Sequence, residues 1–178
     1  MNKGDKLLFL NKWVSMYQTP DGFVYSERKN TNSVAVLCFR INSNNQKEYL
    51  IRYQPLPVIK NNNELYACPI TGSCEVDEKP LDTAIKEVFE EAGINVGLRH
   101  LVYSIDNVAS TQSSEIVHNY VFNVTGLNQE TPKNDGSLFE SISQNKWVLE
   151  SEVEDIIFGD KLVLNSLLSL YLSFKHQK

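Results

Sequence analysis

An α+β fold follows from three observations: β-rich runs recur along most of the chain, one strongly amphipathic helix interrupts them, and helical patterns close the sequence. The 178 residues are 42% hydrophobic and 22% charged, which suits one domain around one packed core and excludes a wholly disordered or repeat-rich chain. Seventeen Lys and Arg against 22 Asp and Glu give a net charge of -5, so no general positive surface is available for nucleic acid phosphates.

The elements follow in order. From Lys6 to Glu27, two apolar or aromatic runs flank Thr19-Pro20-Asp21-Gly22, a turn in which Pro fixes φ and Gly permits positive φ, so a hairpin is expected. Ser33 to Phe39 and Glu48 to Tyr53 read as paired core strands across the polar turn Asn42 to Gln46. A short run from Leu65 to Cys68 leads through Pro69 and Gly72 into a loop. A helix is expected from Pro80 to Ala92, with Pro at a permitted first-turn position and Gly93 placed to end it. Leu81, Ala84, Ile85, Val88 and Ala92 form its apolar stripe. Strand-like runs follow at Leu101 to Ile105, Ile116 to Val124 and Lys146 to Leu149; a helix begins near Glu150 and a last one covers about Lys161 to Lys175.

Cys38, Cys68 and Cys74 have no Cys-x-x-Cys pairing and no His at ligand spacing, so they read as buried thiols. The apolar run Leu7 to Leu10 is too short for a signal-peptide core, and no run reaches the roughly 18 apolar residues of a membrane span. A reduced, cytoplasmic protein with no membrane partner is the expectation.

Glu87, Glu90 and Glu91 stand at i, i+3 and i+4, which brings three carboxylates to one helix surface and makes their mutual repulsion unfavourable without a counter-charge. Two readings are open: a solvated acidic face, or oxygen ligands for Mg²⁺ or Mn²⁺. The wider spacing bears on the choice. The segment Gly72-Ser-Cys-Glu-Val-Asp-Glu78-Lys-Pro-Leu-Asp-Thr-Ala-Ile-Lys86-Glu87-Val88-Phe-Glu90-Glu91-Ala-Gly93-Ile94 resembles the Nudix box at every fixed position except one, Lys86, where that family has Arg. The resemblance implies a Nudix α/β/α sandwich with a mixed central sheet, in enzymes that hydrolyse a nucleoside diphosphate linked to another moiety. It also implies that Glu87, Glu90 and Glu91 hold the cations, with a main-chain carbonyl near Thr71 or Gly72 as a further ligand. Glu78 is then a loop-ordering partner of Lys86, a bridge that keeps its charge but loses the bidentate fork of Arg.

Beyond the box at residues 72–94, the chain resembles the ADP-ribose and ADP-sugar pyrophosphatase branch. Lys12-Trp13-Val14, Asp21-Gly22 and Phe23 to Arg28 resemble its N-terminal β extension, which in relatives exchanges across a homodimer. The implied division is residues 1–30 for the extension and 31–178 for the Nudix domain. By the same resemblance, Trp13 with Phe23 or Tyr25 sandwiches adenine, Arg28 approaches the diphosphate or terminal ribose, and Arg52 is a phosphate-contacting candidate although Arg52-Tyr53-Gln54 departs from the branch pattern. Asn134-Asp135-Gly136 followed by Glu140 resembles the branch's acidic loop, with Ser137 where a catalytic Glu is expected; Glu140 and Glu115 are therefore the contending general bases. The implied activity is metal-dependent cleavage of ADP-ribose or an ADP-sugar to AMP and a sugar phosphate. A Nudix hydrolase of oxidised nucleoside triphosphates or dinucleoside polyphosphates, and a weakly catalytic nucleotide sensor, are the alternatives.

Overall fold

In a computed structural model, which describes residues 3–28, 32–59, 64–75, 77–133 and 141–177, the described residues include ten strands and the three α-helices named below. Asn134-Asp135-Gly136, Ser137 and Glu140 lie outside the described residues. The strands are β1 (Lys6–Leu10), β2 (Val14–Gln18), β3 (Val24–Arg28), β4 (Ser33–Ile41), β5 (Lys47–Gln54), β6 (Tyr66–Cys68), β7 (Ile70–Ser73), β8 (Leu101–Ser110), β9 (Ser113–Asn123) and β10 (Gln144–Leu149). The helices are α1 (Pro80–Ala92), α2 (Glu150–Ile157) and α3 (Asn165–Lys175). None of these described helices is long and apolar enough to cross a membrane.

The main sheet runs β1-β2-β3-β9-β4-β5-β10, and β6, β7 and β8 pair with β5, β4 and β9. It is mixed: β4 is parallel to β9 but antiparallel to β5 and β7. Two cores flank it. On one side Ala84, Val88 and Ala92 of α1 pack with Val34, Val36, Ile70 and Phe122, and the expected stripe residues Leu81 and Ile85 lie against that cluster. On the other, Leu167, Leu170, Tyr171 and Phe174 of α3 join Val153 and Ile157 of α2 over Leu37, Tyr49 and Ile51. Successive residues of β4 point to opposite faces, so Val36 serves one core and Leu37 the other, which is why this strand reads as a continuous apolar run.

The N-terminal hairpin expected around Pro20 forms between β2 and β3, with Gly22 at φ 89° in its turn. An extra strand, β1, pairs with β2 and extends it to a three-stranded edge. One strand was not expected and one boundary is corrected. The stretch from Ile70 to Ser73, assigned to no element from the sequence, is β7, because Val36↔Ile70 through Ser33↔Ser73 pair in register with β4. The last helix begins at Asn165 and not near Lys161, because Leu164 N–H donates to Ala67 O at 3.0 Å and Val163 bridges Ala67, which holds the chain extended there.

All three cysteines are free and buried, and burial pushes the thiols of Cys38 and Cys68 up to about 12. Helix α1 ends at Gly93 with φ 68°, where a Cβ would overlap the carbonyl of Glu130. Gly93→Ala is therefore expected to lose about 1–3 kcal/mol of stability, read by denaturant unfolding; an unchanged midpoint would contradict the close approach.

Candidate functional site

Helix α1 carries Glu87, Glu90 and Glu91 of the box, and its C-terminal end is fixed by a set of donors to its last carbonyls. A helix leaves these groups without internal partners. Here Gly93 N–H donates to Phe89 O at 3.0 Å, Gln129 Nε2 donates to Ala92 O at 3.0 Å, and both Arg52 Nη1 and Asn145 Nδ2 donate to Glu91 O, at 3.3 and 2.6 Å. Arg52 and Asn145 face each other across the β5–β10 ladder, so two strands reach the same helix end. A guanidinium there also complements the negative pole of the helix.

Arg52 is 2% exposed and its Nη2 lies 3.2 Å from Glu91 Oε1, while its Nε donates to Gln54 Oε1. The sequence placed Arg52 among the phosphate-contacting candidates; the structure instead commits its guanidinium to α1. Glu91 is correspondingly drawn inside, at 7% exposure. The expected gathering of Glu87, Glu90 and Glu91 around a cation is altered by this: the protein itself supplies the counter-charge for Glu91. Among the described residues, no three His, Cys, Asp or Glu side chains are gathered around one point.

Glu87 is placed by a different constraint. Strand β7 packs on α1 so closely that a Cβ at Gly72 would overlap the Glu87 carboxyl, so a larger residue there would displace this side chain from the strand. Glu87 and Glu90 are half-buried. Their carboxylates and the main-chain carbonyls of Thr71 and Gly72 are hard oxygen donors, a set that fits Mg²⁺ or Mn²⁺ in chemistry. Glu78 and Lys86 do not make the expected bridge: among the described residues no ion pair joins them, and Lys86 is exposed. Cys74, within the box, has its thiol pushed up by burial.

On the other side of Thr71 and Gly72 opens a cavity of about 370 Å³, walled by the start of β4, by β7, β8 and β9, and by the first turn of α3. Its size suits a small ligand. Arg28 and Glu115 stand on its rim and interior, with Arg28 Nη1 3.4 Å from Glu115 Oε1. Two larger hollows, of about 590 and 480 Å³, are lined by neither Thr71 nor Gly72, so the box chemistry points to the smaller one.

The structure thus brings together Arg28, Thr71, Gly72 and Glu115 of the residues singled out in the sequence. It leaves Trp13 and Phe23 apart: they are 70% and 48% exposed and are not among the described residues lining the cavity. Trp13 lies beside the Lys12 ammonium, 4.6 Å from the ring centroid. Sequence reasoning missed Asn107, Asn119 and Ser166 on the cavity wall. The available signal was Asn119, a polar residue inside the apolar run Ile116 to Val124.

A model of the NUDIX domain matches residues 31–165. The chain belongs to the Nudix family. Three solved structures share this Nudix fold: an ADP compounds hydrolase (TM-score 0.69, 13% identity, covering 97% of this chain and 90% of that one), a Nudix hydrolase from M. smegmatis, RenU (0.57, 12%, 92% and 92%), and T. brucei MERS1 in a complex with RNA (0.56, 14%, 72% and 54%). A comparison with curated protein sequences gives no match. Nudix hydrolases act on small nucleotide derivatives and generally use divalent metal ions.

Arg52→Ala is expected to destabilise this Nudix chain by about 3–5 kcal/mol, because it removes the guanidinium from a buried ion pair. Urea unfolding measures it; a loss under about 1 kcal/mol would mean that the pair does not anchor α1.

Proposed function

We propose that the chain is a divalent-metal-dependent hydrolase that cleaves ADP-ribose or a related ADP-sugar into AMP and a sugar phosphate. The observation that carries this reading is the cavity beside the box: Thr71 and Gly72 line it while Gly72 also bears on Glu87, so the carboxylate-bearing helix and a ligand-sized space share one wall. The overall likeness to an ADP compounds hydrolase, over 97% of this chain, supports the adenosine diphosphate part.

In this reading Glu87 and Glu90, with a carbonyl of Thr71 or Gly72, hold the cation, which when bound offsets diphosphate charge and lowers the pKa of a water. Glu91 acts from behind: Arg52 fixes it and thereby the register of α1 over β7. Arg28 faces the diphosphate. Glu115, lining the cavity and paired with Arg28, is positioned to take the proton of the attacking water; Glu140 remains the other candidate. The water oxygen bonds to one phosphorus, the bridging P–O bond breaks, and the bridging oxygen departs on the second phosphate. The balance is one water consumed and two phosphomonoesters formed.

Incubation with ADP-ribose and Mg²⁺ or Mn²⁺, with products separated by chromatography, is expected to release AMP and ribose 5-phosphate. Glu87→Gln and Glu90→Gln are each expected to lower kcat by about 100-fold or more while the fold persists, since a lost metal ligand costs at least what outer-shell partners do. Pyrophosphate from a nucleoside triphosphate instead would select the other hydrolase reading, and full turnover in both variants would remove the metal assignment.

We also infer a homodimer formed through the N-terminal strands, and with it the division into an extension at residues 1–30 and a Nudix domain at 31–178. The support is β1, an edge strand whose Leu7, Leu8, Phe9 and Leu10 are each between 44% and 59% exposed. Sedimentation is expected to show a dimer that Phe9→Lys weakens; a monomer at all concentrations would contradict it.

A further inference from the structure

We propose that Asn119 and Ser166 form a recognition point for sugar hydroxyls in the cavity beside the box, and so select the group attached to the nucleoside diphosphate. The inference rests on the reading that this cavity receives a nucleoside diphosphate sugar. Asn119, midway along β9, is 1% exposed and lines the cavity. Its Nδ2 donates to Asn107 Oδ1 at 3.0 Å and to Val117 O at 2.9 Å. These two acceptors fix the orientation of the amide and leave Oδ1 as the atom still able to bond.

Among the described residues, neither Asn119 Oδ1 nor Ser166 Oγ has a hydrogen-bond partner, although both atoms are buried and both residues line the same cavity. Buried polar atoms are almost always paired, so two orphans on one cavity wall point to an occupant. The chemistry of the pair narrows what it is. Asn119 Oδ1 only accepts, so it requires an O–H or N–H; Ser166 both gives and takes. A phosphate oxygen could answer Ser166 but not Asn119. A planar base could answer both, yet no aromatic side chain is among the described residues lining the cavity; beside the charged pair Arg28 and Glu115, the walls are Ser, Thr, Asn, Gly and aliphatic residues. A vicinal diol offers a donor and an acceptor side by side and needs no stacking platform. Ser166 also belongs to the first turn of α3, whose N-terminal end carries partial positive charge and suits a phosphate on the same sugar.

The test is calorimetric titration of ribose 5-phosphate and, separately, inorganic phosphate into the wild-type protein, Ser166→Ala and Asn119→Ala. Wild type is expected to bind ribose 5-phosphate more tightly than inorganic phosphate, and each substitution to reduce that preference about 3- to 10-fold, as for one neutral hydrogen bond, with phosphate binding little changed. Asn119→Ala also strips partners from Asn107 and Val117; Ser166→Ala removes a single oxygen and keeps the test valid if the former does not fold. No preference in the wild type, or a preference untouched by Ser166→Ala, overturns the proposal. Hydrolysis of ADP-ribose without any sugar preference would defeat this inference alone, whereas sugar preference without hydrolysis would defeat the hydrolase reading alone.

Discussion

The buried pair between Arg52 and Glu91 is the constraint from which the site's geometry follows. One guanidinium on β5 meets both the side chain and the main-chain carbonyl of the last glutamate of the box, with Asn145 of β10 on the same carbonyl. Isolated buried charges are prohibitive, and a pair remains costly unless its remaining hydrogen-bonding positions are filled. Gln54 and Asn145 provide that for Arg52. The pair is thus a register device: it permits α1 one rotation and one height over the sheet. Sliding the helix would bury two charges without partners.

Once α1 is set, the rest is close packing. Its apolar stripe seats on β4 and β7, and the absence of a side chain at Gly72 lets the Glu87 carboxyl lie against the strand. The same strand forms the cavity wall on its other side. Three links connect in sequence: an apolar periodicity makes the helix, an ion pair orients it, and a glycine brings its carboxylate against the strand that walls the cavity. The β9 and α3 walls come from parts of the chain far from the box, which lets the box chemistry stay fixed while the pocket is shaped independently.

That division explains what could be read in the sequence. Helix α1 and its end at Gly93 were legible because Pro80, the 3.6-residue stripe and a left-handed C-cap are local signals that all agree. Strand β7 was not, because Pro69 and Gly72 look like turn residues and only the tertiary pairing with β4 makes the segment a strand. The onset of α3 was shifted because a contact with Ala67, nearly a hundred residues earlier, holds Val163 and Leu164 extended. Arg52 was singled out as an anion-binding arginine; nothing local says that its anion is a carboxylate of the same chain. Asn119 and Ser166 acquire meaning only when β9 and α3 meet across a cavity, a juxtaposition that no spacing rule encodes.

Glu78 and Lys86 show the opposite limit, where a motif position suggests a contact that this chain does not form. With Lys86 exposed, the loop before α1 is held by other means: Cys74 N–H donates to Asn32 O, and Glu78 N–H closes a turn on Glu75 O. On the proposed function, the box carboxylates and the cavity form one metal-assisted site. The most direct measurement is paramagnetic broadening of backbone amide signals by substoichiometric Mn²⁺. Broadening centred on Thr71, Gly72, Glu87 and Glu90, fading toward Asn119, is the result this account expects; broadening centred on the acidic helix α2, with the box signals sharp, would contradict it.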